Sequence, residues 1–180
     1  MTRKTIFIGL LGLLALSLLV FPALTHADQY YPQYTGNSFI PTNKDATYHK
    51  DHFIGYLYHS DTNDEFYVHP VTFEVPDGSV HYIKSIGIRY KDNLADGYLE
   101  VYLKRRNLYT GNYHTVASWM SGYSESSASP QTASKGTNAG YKLIDTKKFA
   151  YWLHVEFARS GDVNPDSGLV LYQIRVHYGT

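Results

Sequence analysis

The sequence has 180 residues, 18 of them tyrosine, and no cysteine. Without cysteine the chain has no disulfides, no thiol nucleophile and no thiolate ligand for zinc. Its 16 basic and 16 acidic side chains balance, and because phosphate binding needs a basic surface, nucleic acid is not an expected partner.

Residues 1–27 have the pattern of a cleavable secretory signal peptide. Arg3 and Lys4 precede an apolar run over 6–20, and residues 25–27 (Thr-His-Ala) offer a small-residue cleavage site. A membrane anchor is the alternative, but a spanning helix needs about 20 apolar residues. Cleavage removes two of the 16 basic side chains and no acidic one, which leaves a net charge near −2. We expect a secreted protein, extracellular or at the cell surface with the periplasm as an alternative, and no stable membrane insertion after cleavage.

Residues 28–50 predict an extended arm. They contain four tyrosines and two prolines and show little periodicity, as in segments that are ordered only by docking. An extended arm can add a strand to the sheet edge of a neighbouring molecule. The arm is therefore our candidate element for self-assembly into a homo-oligomer.

Residues 51–180 predict an all-β domain, an antiparallel, jelly-roll-like β-sandwich of eight or nine strands. The strand at 80–90 loses its apolar phase near Ser85, which indicates a bulge or a change of sheet. Residues 121–140 are predicted to form a long loop that can include a short strand. The predicted strands are 53–58, 66–75, 80–90, 98–105, 113–120, 141–145, 149–157 and 169–178. In the last one we expect one face to carry Val170, Tyr172, Ile174, Val176 and Tyr178.

Five short sequence motifs occur in a characteristic order and spacing. They are 75–80 (VPDGSV), 86–93 (IGIRYKDN), 99–105 (LEVYLKR), 150–155 (AYWLHV) and 172–178 (YQIRVHY). Over 70–178 the chain resembles a group of exported bacterial β-sandwich proteins, jelly-roll-like, that have no assigned activity. The resemblance implies the fold and the compartment, and it brings no catalytic residues.

Two strands carry polar residues of catalytic type. His154 and Glu156 lie on the outward face of 149–157, and Arg175 and His177 on the second face of the last strand. If the strands pair, the four form one polar patch able to bind a metal or transfer protons. If the strands lie in different sheets, as in many jelly rolls, these residues belong to two solvated sheet faces.

Two acidic loops are candidates for Ca²⁺, the one cofactor that the sequence suggests. Oxygen-bearing side chains alternate over 162–166, but Gly168 comes one residue late for an EF-hand loop and Gln173 stands at the position of its final glutamate, while 61–65 is a second acidic cluster. The alternative is that these residues are simply turn formers. The candidate ligands are Asp162, Asn164 and Asp166 in one loop and Asp61, Asn63 and Asp64 in the other.

No catalytic residues are predicted. The run 122–126 resembles a nucleophile elbow faintly, but it lacks the final glycine and the strand–turn–helix context. The chain is therefore expected not to be an enzyme, with a polysaccharide-acting enzyme as the least favoured alternative.

Tyr98 and Tyr102 are predicted to share an outward face, and Trp152 also points outward. Such rings can stack on sugars or form a protein contact, and Tyr is also simply a good strand residue. The first hypothesis is an exported non-enzymatic β-sandwich that acts through surface contact or assembly. The second is a carbohydrate-binding module, so the expected partner is a protein, including a second copy, or a glycan.

Overall fold

A computed structural model describes residues 29–42, 48–51, 56–59, 65–75, 78–95, 97–122, 127–158 and 168–180. The signal peptide and the six candidate calcium ligands lie outside these residues. The described residues include two short 3₁₀ helices, at Gly36–Ser38 and Ala139–Tyr141. Among the residues described, none belongs to a helix with the length and apolar character to cross a membrane. The strands are β1 (Gln29–Tyr30), β2 (Gln33–Thr35), β3 (Ile40–Pro41), β4 (Tyr48–Asp51), β5 (Tyr56–His59), β6 (Glu65–Val71), β7 (Tyr82–Asp92), β8 (Tyr98–Asn107), β9 (Tyr113–Met120), β10 (Gln131–Gly136), β11 (Phe149–Ala158) and β12 (Leu169–Gly179).

The strands form two antiparallel sheets. The seven-stranded sheet has the order β10-β7-β12-β5-β4, and β1 and β2 also pair with β12. The five-stranded sheet has the order β3-β6-β11-β8-β9. This confirms the predicted antiparallel β-sandwich. The predicted strand at 141–145 is wrong, because this segment holds the end of a 3₁₀ helix and a single bridge from Leu143 to Tyr82.

The core lies between the sheets and follows the period-two pattern of the long strands. In β8 and β11, Leu103 faces Leu153 and Val101 faces Val155, and all four side chains are fully buried. Burying each such side chain stabilises the fold by about 1.5–3 kcal/mol. Alternate residues of the same strands point away from the core and are available for binding.

Two β-bulges set which residues of β7 and β12 face the core. Leu171 pairs with Tyr90 but Gln173 with Arg89, so Tyr172 is an extra residue in β12. The face predicted to point inward is therefore wrong for the first half of β12. Leu169 and Leu171 belong to the core cluster, whereas Val170 and Tyr172 do not.

The second bulge lies in β7. Ser85 pairs with His177 and Ile83 with Tyr178, which leaves Lys84 as the extra residue. The bulge expected near Ser85 is thus confirmed. Ile86 and Ile88 return to the inward phase after it, and both are buried.

The described residues of the arm, 29–42 and 48–50, are mostly extended and dock on their own chain, the second range through the pairing of β4 with β5. β1 and β2 pair with β12 in one sheet, and β3 pairs with β6 in the other. Between them, Phe39 is completely buried, and its ring lies 5.5 Å from the imidazole of His69. The arm therefore joins the two sheets and contributes to the core.

One buried polar cluster closes the end of the sandwich near β8. The Ser121 hydroxyl donates a hydrogen bond to Oδ2 of Asp92 and accepts one from the amide of Leu99 at 3.0 Å. Oδ1 of Asp92 accepts from the amide of Leu94 at 3.1 Å. Because Asp92 and Ser121 are both buried, these bonds compensate for the loss of water around the carboxylate.

Candidate functional site

The outer side of the five-stranded sheet is rich in aromatic rings. In β8 and β11 the outward residues alternate with buried ones, as Trp152 does between Tyr151 and Leu153. We call this surface the aromatic face. Its rings are Phe66, Tyr98, Tyr102, Tyr113, Trp152 and His154.

The three aromatic residues singled out in the sequence lie on this face. Tyr102 is the cross-strand partner of His154, and Trp152 is the partner of Lys104. Tyr98 lies further along β8, where its hydroxyl donates a hydrogen bond to Oε1 of Glu156 at 3.3 Å. The shared outward orientation follows from regular alternation in β8 and β11.

Tyr113 and Trp152 form an aromatic corner at one end of the face. Their ring centroids are 5.8 Å apart and the ring planes are perpendicular. Tyr113 is 63% exposed, so one of the two walls is open to solvent. Together with Lys104, His114 and Thr115, the two rings line a hollow of about 310 Å³.

The sequence analysis missed Tyr113. Nothing in its local pattern separates it from the other strand tyrosines. Its position depends on the register between β8 and β9, which shifts where Leu103 pairs with Ala117 but Lys104 pairs with Thr115. Val116 is the extra residue there.

His154 is the centre of a cluster beside the corner. Its ring lies between Phe66 and Tyr102, with centroid distances of 5.3 and 5.5 Å. The Lys104 ammonium lies 4.5 Å from the centroid of the Tyr102 ring and 3.5 Å from Nδ1 of His154. Burial, and then the positive charge of Lys104, lower the pKa of His154 to about 4. The imidazole is therefore neutral at neutral pH and accepts from Lys104 through Nδ1, which leaves the proton on Nε2.

The carboxylates of the face are paired with tyrosine hydroxyls. Glu100 and Glu156 are cross-strand partners, and Glu156 accepts the hydrogen bond from Tyr98. Burial, followed by a hydrogen bond to Glu100, raises the pKa of Tyr102, so its hydroxyl stays protonated. Within the described ranges, no three His, Asp or Glu side chains are grouped so as to hold a metal ion.

The predicted polar patch does not form. His154 and Glu156 lie on β11 in the five-stranded sheet, whereas Arg175 and His177 lie on β12 in the seven-stranded sheet. The two pairs point outward from opposite sides of the sandwich. Arg175 and His177 instead line a separate hollow on their own side.

No family model matches the chain, and no curated protein matches it. Several solved structures are similar to the chain at low sequence identity. The C-terminal CBM6 of the laminarinase LamC from Zobellia galactanivorans is 12% identical, with a TM-score of 0.47, over 84% of this chain and 100% of that one. A mutant of the family 29 carbohydrate-binding module CBM29-2 is 10% identical, with a TM-score of 0.38, over 84% of this chain and 91% of that one.

A family two carbohydrate esterase from Cellvibrio japonicus is also similar, at 8% identity and a TM-score of 0.41. It matches over 86% of this chain, which spans only 34% of the esterase.

Proposed function

We propose that the protein binds an uncharged glycan through the aromatic face, without catalysis. The observation that carries this proposal is the corner formed by Tyr113 and Trp152. The rest of the face supplies the polar groups and the charge balance that such a ligand needs.

A sugar ring presents apolar C–H faces and polar hydroxyl edges. Two perpendicular aromatic rings offer one wall for stacking and a second for edge contact. Lys104 and Thr115 line the same hollow and are suited to hydrogen-bond the hydroxyls. Aromatic walls with a few convergent polar groups are typical of small-ligand sites.

The charges of the face favour a neutral ligand. Lys104 is engaged by the Tyr102 ring and by His154. Glu100 and Glu156 carry the opposite charge to Lys104, and they are cross-strand partners on β8 and β11. The guanidinium of Arg106 lies 5.1 Å from the centroid of the Tyr113 ring on the same face. These two positive and two negative charges balance, so no strong electrostatic attraction selects an acidic or a basic ligand.

The same contacts favour binding over the alternatives. Hydrogen bonds from Tyr98 and Tyr102 to the two glutamates favour a structural role of these carboxylates over acid–base chemistry. The arm pairs inside its own chain, which weakens the case for assembly by strand exchange. Export through the predicted signal peptide is consistent with a glycan ligand outside the cell.

A glycan array followed by titration tests the proposal. We expect Trp152→Ala and Tyr113→Ala to weaken binding about tenfold or more, which corresponds to about 1.4 kcal/mol. Tyr109→Ala is the matched control, because Tyr109 is 80% exposed but lies in the turn after β8. Failure of the intact protein to bind any glycan contradicts the proposal, as does an equal loss in the Tyr109 variant.

Contact with another protein, including a second copy, is the competing use of the aromatic face. The exposed ring of Tyr113 suits it equally well, since protein interfaces also favour aromatic residues. Light scattering separates the two functions. Self-association that disappears in Trp152→Ala, combined with a negative glycan array, favours the protein contact.

A further inference from the structure

The outer side of the seven-stranded sheet contains a hollow of about 600 Å³. Gly87 of β7 lies at its centre, between Ser134 of β10 and Arg175 of β12 in the pairing register. Arg89, the next outward residue of β7, is paired with Gln173. Three strands therefore contribute side chains to one surface.

The absence of a side chain at Gly87 leaves this space open, and the fold itself does not require a glycine there. Its backbone is not in the left-handed region. A Cβ at this position would meet Nε2 of His177 at 3.6 Å and Cβ of Arg175 at 3.9 Å, which are ordinary contacts. Glycine weakens a strand interior, and where packing does not demand it, it often marks the close approach of a ligand.

The hollow is positively charged. Arg89 and Arg175 are exposed on the same outward face, at diagonal positions that lie about 7–8 Å apart in a sheet. The Arg89 guanidinium lies 5.7 Å from the centroid of the Tyr172 ring, which helps to position it. Of the described residues that line the hollow, none is acidic. Two adjacent guanidinium groups are suited to a carboxylate, which they can bind through parallel hydrogen bonds.

The remaining lining residues suit a polyhydroxylated ligand. The Ser134 hydroxyl and the Gln173 amide border the space, and Gln173 is held by a hydrogen bond to Gln33 at 2.6 Å. His177 is fixed from two sides, by Ser85 at 3.2 Å and by the edge-on ring of Tyr31 at 4.7 Å. Gln173 and His177 are thus positioned before any ligand arrives, and the volume of the hollow is within the usual range for small-ligand sites.

We propose that this hollow is a second binding site, which takes an acidic sugar such as a hexuronate unit of a polysaccharide. Arg89 and Arg175 bind the carboxylate, Ser134 and Gln173 hydrogen-bond the hydroxyls, and the sugar ring lies over Gly87. The proposal is independent of the aromatic face, since the two surfaces belong to different sheets.

Calorimetric titration with trigalacturonate, and with its uncharged methyl ester, tests the site. We expect the acid to bind at least tenfold more tightly than the ester, and its affinity to fall as salt rises. Arg175→Gln removes one guanidinium and Gly87→Val fills the space, so each is expected to weaken binding at least tenfold. Lys135→Gln is the matched control, because it removes an exposed positive charge of β10 that does not line the hollow.

Thermal unfolding shows whether each variant is folded. If Gly87→Val is not, Gly87→Ala takes its place with a smaller expected loss, because a methyl group fits without a clash. Absence of trigalacturonate binding overturns the proposal, and so does an equal loss in Lys135→Gln, which indicates unspecific attraction. Inorganic sulfate or phosphate that competes as well as the uronate overturns the sugar specificity. Loss of uronate binding in Trp152→Ala places the ligand on the aromatic face instead.

Discussion

Replacing Phe39 tests whether the N-terminal arm is part of the folded domain. The side chain is completely buried and belongs to the core cluster. Truncating a buried Phe to Ala usually costs about 3–5 kcal/mol, which is a large share of a total stability of about 5–15 kcal/mol. For a chain of this size, such a loss lowers the melting temperature by roughly 10 °C.

The neighbouring residue provides the control for this experiment. Ile40 is 60% exposed, so Ile40→Ala is expected to change the free energy of unfolding by no more than about 0.5 kcal/mol. Urea unfolding followed by tryptophan fluorescence measures both variants. A loss below about 1 kcal/mol for Phe39→Ala, or equal losses for the two variants, refutes the claim that the arm completes the core. If the arm does complete the core, deleting residues 28–50 is expected to unfold the domain and not simply to lower its oligomeric mass.

Two further perturbations address the polar groups. Because His154 has a folded-state pKa near 4 against an ordinary value of 6.5, the unfolded chain binds its proton first as pH falls. The contribution of His154 to the free energy of unfolding is therefore fully present above about pH 6.5. As the pH falls to 4, the free energy of unfolding decreases by about 1–2 kcal/mol, a value reduced for solvent screening of the partly exposed ring. The difference between urea titrations of the wild type and His154→Gln across this range measures it, and parallel curves contradict it. Ser121→Ala leaves Asp92 and the Leu99 amide each without one hydrogen bond, so we expect a loss of about 1–3 kcal/mol, whereas the exposed Ser129→Ala is expected to be neutral in the same assay.

The sequence predicted the strands whose two faces differ in polarity. In β8 and β11 the alternation is regular, so both the buried set and the outward Tyr98, Tyr102 and Trp152 could be identified from period two alone. One face of each strand must be buried between the sheets, and this requirement is visible in the local pattern of polar and apolar residues. The bulge near Ser85 was visible for the same reason, since it interrupts an otherwise regular alternation.

Features that depend on pairing between distant strands could not be predicted. Leu169, Val170 and Leu171 are all apolar, so the sequence does not show which of them face the core. The bulge at Tyr172 could therefore not be recognised from the alternation of polar and apolar residues. The aromatic corner depends on the register of β9 against β8. The hollow above Gly87 likewise needs the registers of three strands, which no local pattern encodes.

The bulges at Lys84 and Tyr172 have a consequence for how these strands can change. Deleting either extra residue would make its strand regular without turning the following residues over. Without Tyr172, for example, Gln173 stays outward and Ile174 stays inward, each opposite its present partner. A deletion far from the bulges instead shifts the phase of the residues beyond it. Changes in the length of β7 and β12 among natural variants are therefore expected at the two bulges, where the loss of a residue is absorbed with both faces unchanged.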